Sequence, residues 1–429
     1  MGSWLLIAYN FGSCVAQPVA ISGVSSSLVE LAFARIVAGI GGAGMVSLTS
    51  IIITDVIPPE EIALYDGYSS TVNMIGRSLG PPLGGLLSQT IGWRLPAPLA
   101  QLPGPKHQGP KKPSLNQVDT AGLLALSLAI AALSFLVEQL AMPNPEDQSS
   151  LITFGLLAAT VAFSVGFGLI ERFWATNPLI PVDLMMGQFG RWCVIELLIY
   201  TGRGGLLCLL TPYLIRVENW PDVGASIAFV GNALGISAGG LVAGHMVKRT
   251  KKYKNLGVSA ICLSIFAYFL IWFQWRDGCS ILEASIPTLL GLGTGMTYTA
   301  TFIGMTATTP KDRLPVCIVT LELFLNVGFI VGPAISTAVV QKVFAKGLAN
   351  SLPSDGASAK SSKVINGVLN DAMFAQNLND GAKDIVRARY LDAFQFAPLF
   401  AVVCGVATLV VFSLSKVASI KGSLWVVMI

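Results

Sequence analysis

Arg35, Arg77, Arg203 and Glu322 stand out as ionisable side chains inside stretches apolar enough to cross a membrane. A fifth, Asp55, closes such a stretch. A charge at mid-membrane costs about 2.5–3.5 kcal/mol on insertion scales, so residues of this kind face a cavity or a partner. The chemistry open to them is the handling of ions and protons. Glu322 reads as the deepest carboxylate and could hold a proton or a cationic solute. Arg203, in mid-span, is a candidate partner for it, and a structural Arg–Glu pair would account for the same two residues. Arg35 sits in the first turns of its span, where it serves either function or simple snorkelling to the interface. Arg77 either binds an anion or carboxylate from the cavity or disables the helix it interrupts. Glu138 and Glu171 lie near span ends and read as solvated.

Covalent catalysis and metal chemistry find no support. His107 lies in a polar loop and His245 stands alone at a helix end, so no nucleophile–base pair forms. The seven cysteines are scattered without a C-x-x-C pair, which implies neither a disulfide framework nor a metal cluster. No Gly-x-x-x-x-Gly-Lys phosphate loop is present. The chain reads as a non-enzyme without a cofactor.

The elements that must carry these residues are membrane helices. Only 12% of residues are charged and 53% are hydrophobic, against about 25% charged in a soluble domain. A span needs about 20 apolar residues, and about eleven candidates satisfy this. They cover residues 3–23, 30–54, 67–91, 120–140, 150–171, 192–214, 223–247, 255–275, 283–308, 314–340 and 391–415. The fold class is an all-α polytopic membrane protein. Met1 to Val29 carries no charge, so the basic start of a signal peptide is missing and the chain is expected to begin within a span.

Basic residues in short loops mark the cytoplasmic side. The strongest marker is the cluster Lys248, Arg249, Lys251, Lys252 and Lys254, which also suits anionic lipid at about 1 kcal/mol per basic residue. It is too short a loop for a nucleic acid. Lys106, Lys111 and Lys112 fall on the same side, and the acidic loops at Glu146–Asp147 and Glu218–Asp222 on the other. The Ser/Asn/Asp-rich stretch 341–390 reads as a non-cytoplasmic, partly helical loop.

The chain is also internally repeated. Gly39, Gly41, Pro58, Gly76, Gly80 and Pro81 fall in one register with Gly291, Gly293, Pro310, Gly328, Gly332 and Pro333. Duplicated units with Gly/Pro-interrupted helices mark secondary transporters built from two related halves. Gly76, Gly80, Gly84 and Gly85 give a side-chain-free stripe that lets a second helix approach, and Pro81 can bend the helix. Ordinary helix packing would use the same stripe.

Leu31–Ala43, with Arg35, Gly39 and Gly41, resembles the fourth-span motif Arg-x-x-Gln-Gly-x-Gly of the major facilitator superfamily, with Ala38 in the glutamine position. Gly76–Gly85 resembles the fifth-span antiporter motif of its fourteen-span drug:proton antiporters, and Trp93–Arg94 matches the pair that closes that span. Gly239–Thr250 with Tyr253–Lys254 resembles the second-half Gly/basic loop, and the wording is most similar to the fungal vacuolar basic amino-acid transporter-like branch.

That resemblance implies two related helical bundles and a proton-coupled antiporter. It would move a small cationic or amphipathic solute (a basic amino acid, drug or secondary metabolite) across the vacuolar or plasma membrane, as a monomer driven by the proton gradient. It gives Arg35 a part in proton coupling, Asp55 a place against a basic loop, and the Gly76–Gly85 stripe a role as hinge or seal. The expected division is a partial first bundle at 1–94 (spans three to five), a Pro/Lys loop at 95–119, two linking spans at 120–175, a six-span bundle at 192–415 and a cytoplasmic tail at 416–429. The repeat would place the partners of 192–214 and 223–247 before Met1, and finds none for 391–415 after 67–91. A transport-inactive receptor or scaffold, or a faulty gene model, is therefore the alternative expectation.

Overall fold

The computed structural model describes residues 120–141, 149–174, 180–218, 220, 222–250, 252–280, 282–351, 367–368 and 380–415, with isolated positions between 39 and 72. Every regular element among them is helical. In order these are α1 (Thr120–Ala141), α2 (Ser150–Phe173), α3 (Val182–Met185), α4 (Gln188–Glu218), α5 (Asp222–Thr250), α6 (Tyr253–Gln274), α7 (Ile286–Thr308), α8 (Leu314–Ser351), α9 (Asp380–Phe394) and α10 (Phe396–Leu414). Among the described residues, six helices are long and apolar enough to cross a membrane. The chain is a multi-pass membrane protein.

Helix α7, read from the sequence as a further span, is not one of the six, because Gly and Thr lower its hydropathy. Its threonines still suit a bundle interior. Thr294, Thr297, Thr299 and Thr301 each donate to the carbonyl four residues back, so none of these four buried hydroxyls lacks an acceptor.

Helices α5 and α7 meet along glycines. A methyl group built on Gly235 or Gly239 would strike the backbone of Thr288 or Leu292, and one on Gly291 or Gly295 would strike Asn232 or Ile236. Helices α4 and α8 meet in the same way, with Gly328 against Leu197 and Gly332 against Thr201. Pro333 removes one backbone bond within α8 and packs its ring against Gly204 of α4. Two apolar cores result. One gathers Tyr213, Trp275, Phe344, Tyr390 and Phe394 at one end of the bundle. The other gathers Trp192, Tyr253, Met305 and Phe412 towards the opposite end.

The first core explains why α8 runs past residue 340, where the apolar span was expected to stop. Val340, Phe344 and Leu348 recur on one face and are buried, and Phe344 meets Tyr390 of α9 edge to face at 5.1 Å. Tyr213 stacks on Trp275 at 5.0 Å and donates its hydroxyl to the Trp275 carbonyl. Outside the spans, Gly278 turns with φ 122°, and the next amide donates to Glu218 at 2.9 Å. Burial, with Glu218 and Glu283 nearby, pushes the Cys279 thiol up to about 12, which keeps it neutral.

At the opposite end the basic cluster does more than mark a side. Lys254 donates to the carbonyls of Ser413 and Ser415, and Arg191 to that of Leu414. These are the last carbonyls of α10, which have no partner within the helix, and a cation there also meets the negative end of the helix dipole. Lys254→Met is expected to cost about 1 kcal/mol, read as a lower melting temperature in detergent. Arg249→Met, at an exposed position, should leave the melting temperature unchanged.

Candidate functional site

The middle of helix α4 carries Glu196, Tyr200 and Arg203 among mostly apolar neighbours. Their spacing of four and then three residues places all three on one helix face. Arg203 is 5% exposed. Its guanidinium donates to Asn232 Oδ1 at 2.8 Å and lies over the rings of Tyr200 (5.6 Å) and Phe329 (5.2 Å). Asn232, 1% exposed, passes the connection on by donating to the Pro287 carbonyl at 2.7 Å. One arginine therefore ties α4 to α5, α8 and the start of α7.

Glu322 is half-buried on α8, and the hydroxyl of Tyr298 on α7 donates to its Oε1 at 2.8 Å. Beside it lies a carboxylate that the sequence reading passed over. Glu196 has no exposed surface, and its side chain is within electrostatic reach of Glu322 and against the Thr301 hydroxyl. Glu322 is thus not the deepest carboxylate of the described chain. A span beginning at residue 192, where the apolar run starts, puts Glu196 at its edge. The helix begins at Gln188, so Glu196 lies about two turns inside it.

Arg35, Asp55, Arg77, Gly76, Gly80, Pro81, Gly84, Gly85 and Lys251 lie outside the described residues. Of the second-half counterparts, Gly291, Gly293, Gly328 and Gly332 each face a neighbouring helix at a distance that would not admit a methyl group. Lys248, Arg249 and Lys252 are exposed. Glu171, expected to be solvated, is instead buried at 5% exposure and accepts the Ile180 amide at 2.6 Å, which caps the chain's return after α2. Among the described residues no three His, Cys, Asp or Glu side chains gather closely enough to hold a metal. The arrangement can bind a cation, exchange protons and hold helices in register.

The family profile of the Major Facilitator Superfamily matches residues 2–99. The chain is 25% identical over 400 residues to the vacuolar membrane amino acid uptake transporter fnx2 of Schizosaccharomyces pombe, a match covering 89% of this chain and 67% of that protein. It is 26% identical over 359 residues to the multidrug resistance protein fnx1 of the same yeast, covering 78% of this chain and 66% of the relative. With the vacuolar basic amino acid transporter 2 of Saccharomyces cerevisiae it shares 25% identity over 416 residues, 88% of this chain and 84% of that one. In solved structures, its fold is similar to that of a bacterial homologue of the human lysosomal transporter Spinster. The TM-score is 0.53 at 15% identity, covering 96% of this chain and 83% of the other.

Proposed function

We propose that the chain is a member of the major facilitator superfamily and, within it, a proton-coupled antiporter working by alternating access, a reading supported by the profile match at residues 2–99 and by its relatives. The solute is a small cationic or amphipathic molecule, with a basic amino acid as the first choice and a drug or secondary metabolite as the wider class. Relatives described as vacuolar basic amino-acid and multidrug resistance proteins support that range. The membrane is the vacuolar or the plasma membrane. Residues 192–415 act as one bundle, residues 1–94 belong to the other, and the solute site lies between them near the midplane.

One observation carries this reading. Glu322 is held by Tyr298 on the apolar first half of α8, and is still half-buried rather than sealed. A carboxylate in that position is costly to insert, and it is placed to meet a cation arriving from a cavity.

The test is uptake of radiolabelled L-arginine into proteoliposomes with an acidic interior. Accumulation should collapse when nigericin dissipates the pH gradient. Glu322→Gln is expected to lower the initial rate at least ten-fold while the protein remains monodisperse. Full uptake by Glu322→Gln would remove this carboxylate from the mechanism.

A further inference from the structure

We propose that Glu196 and Glu322 form one cation site with divided access, in which Glu322 meets the solute cation and Glu196 behind it carries the exchanged proton. This inference rests on the antiport reading and assigns the coupling step to a residue outside the recognised motifs.

Access differs between the two carboxyl groups. Glu322 is half-buried and accepts the Tyr298 hydroxyl at 2.8 Å. Glu196 is completely buried, so an ammonium or guanidinium cannot reach it, whereas a proton can. Among the described residues neither oxygen of Glu196 receives a hydrogen bond. Thr301 lies against it, but the Thr301 hydroxyl gives its proton to the Thr297 carbonyl. A buried anion without donors is disfavoured unless a positive charge accompanies it.

The two groups are close enough to interact, and neighbouring carboxylates share a single positive charge more readily than they bear two negative ones. Titratable and charged neighbours among the described residues are few. Glu322 faces Glu196 from α8, Tyr298 reaches the pair from α7, and Cys193 and Arg203 flank it on α4. Helix α10, also packed on α4, brings no charge.

The pair therefore carries one positive charge at a time. In the solute-free state the proton sits on Glu196 and Glu322 is ionised. When a monovalent cation docks on Glu322, that proton leaves for the water-facing side, and the net charge of the site is unchanged. One proton is exchanged per monovalent solute.

Two readouts separate the roles, both using radiolabelled L-arginine with ethidium as a second probe. In proteoliposomes, Glu196→Gln should lose accumulation driven by a pH gradient, and the arginine counterflow it retains should no longer vary with pH. Glu322→Gln should lose both accumulation and counterflow. Glu196→Asp, which keeps a titratable group, should retain accumulation with a displaced pH profile. In weakly buffered detergent solution, arginine binding should release about one proton per solute from the parent and none from Glu196→Gln.

Undiminished pH-driven accumulation or undiminished proton release in Glu196→Gln overturns the assignment. So does loss of counterflow in both Glu196 variants while they stay monodisperse. An absence of counterflow in the parent with both probes would instead remove the transport reading on which the site depends.

Discussion

Valine at Gly332 is expected to leave little or no monodisperse protein in detergent. A methyl group built on Gly332 meets the backbone of Thr201 itself, not the end of a flexible side chain. Relief would require α4 and α8 to move apart. Overpacking a well-packed interior costs about 1–3 kcal/mol, and a backbone-to-backbone clash belongs at the upper end of that range or beyond it. The damage would spread, because the same interface carries Gly328 against Leu197 and Pro333 against Gly204. Fluorescence-detected size exclusion and thermal melting give the readout. Gly155→Ala is the matched control, since nothing lies within 4 Å of the added carbon and alanine favours the helix by about 1 kcal/mol. A Gly332→Val variant that melts with the parent would mean that the two helices do not pack as closely as described.

The glycine register shows what a sequence of this kind discloses. Gly291, Gly293, Gly328 and Gly332 could be singled out because punctuation by Gly and Pro is visible at fixed spacing in a chain rich in neither charge nor polarity. What each glycine admits was not visible. That Gly293 makes room for Ser264, and Gly291 for Asn232, depends on how helices distant in sequence cross. The spans were legible for the same reason that membrane helices generally are: about 20 apolar residues in succession are a strong signal. Helix ends were less so. Helix α8 extends to Ser351 because its later apolar face is covered by α9, and that partner lies beyond a polar stretch.

The site was legible in its charges and obscure in its neutral residues. Depth within a span pointed to Arg203 and Glu322. Asn232 and Tyr298, which hydrogen-bond to them, carry no charge and have no spacing that would mark them out. Glu196 was missed through a four-residue error in where a helix starts, which suffices to turn a buried acid into an apparent surface one. Glu171 is buried like Glu196 but serves another purpose, accepting the backbone amide of Ile180.

Arg203→Lys is expected to fold and to transport at least ten-fold more slowly, a loss of about 1.4 kcal/mol or more in the limiting barrier. The substitution keeps the charge and removes the plane. Arg203 makes use of that plane, since its guanidinium lies over both Tyr200 and Phe329 while one nitrogen donates to Asn232. An ammonium is a compact, strongly hydrated point charge and cannot stack and donate in fixed directions at once. Asn232 would lose a directed donor and could turn away from Pro287, loosening the junction of α4, α5 and α7. Arg203→Met removes the donor altogether. It leaves the Asn232 oxygen buried at 1% exposure without the bond it now accepts, at a cost of about 1–3 kcal/mol, and should lower the melting temperature as well as the rate. The contrast decides what the arginine is for. If lysine restores both rate and stability, positive charge alone matters, and Arg203 acts through the field it places two turns from Glu196. If lysine restores stability but not rate, the three-helix junction is what moves during transport, and the planar contact sets how it moves.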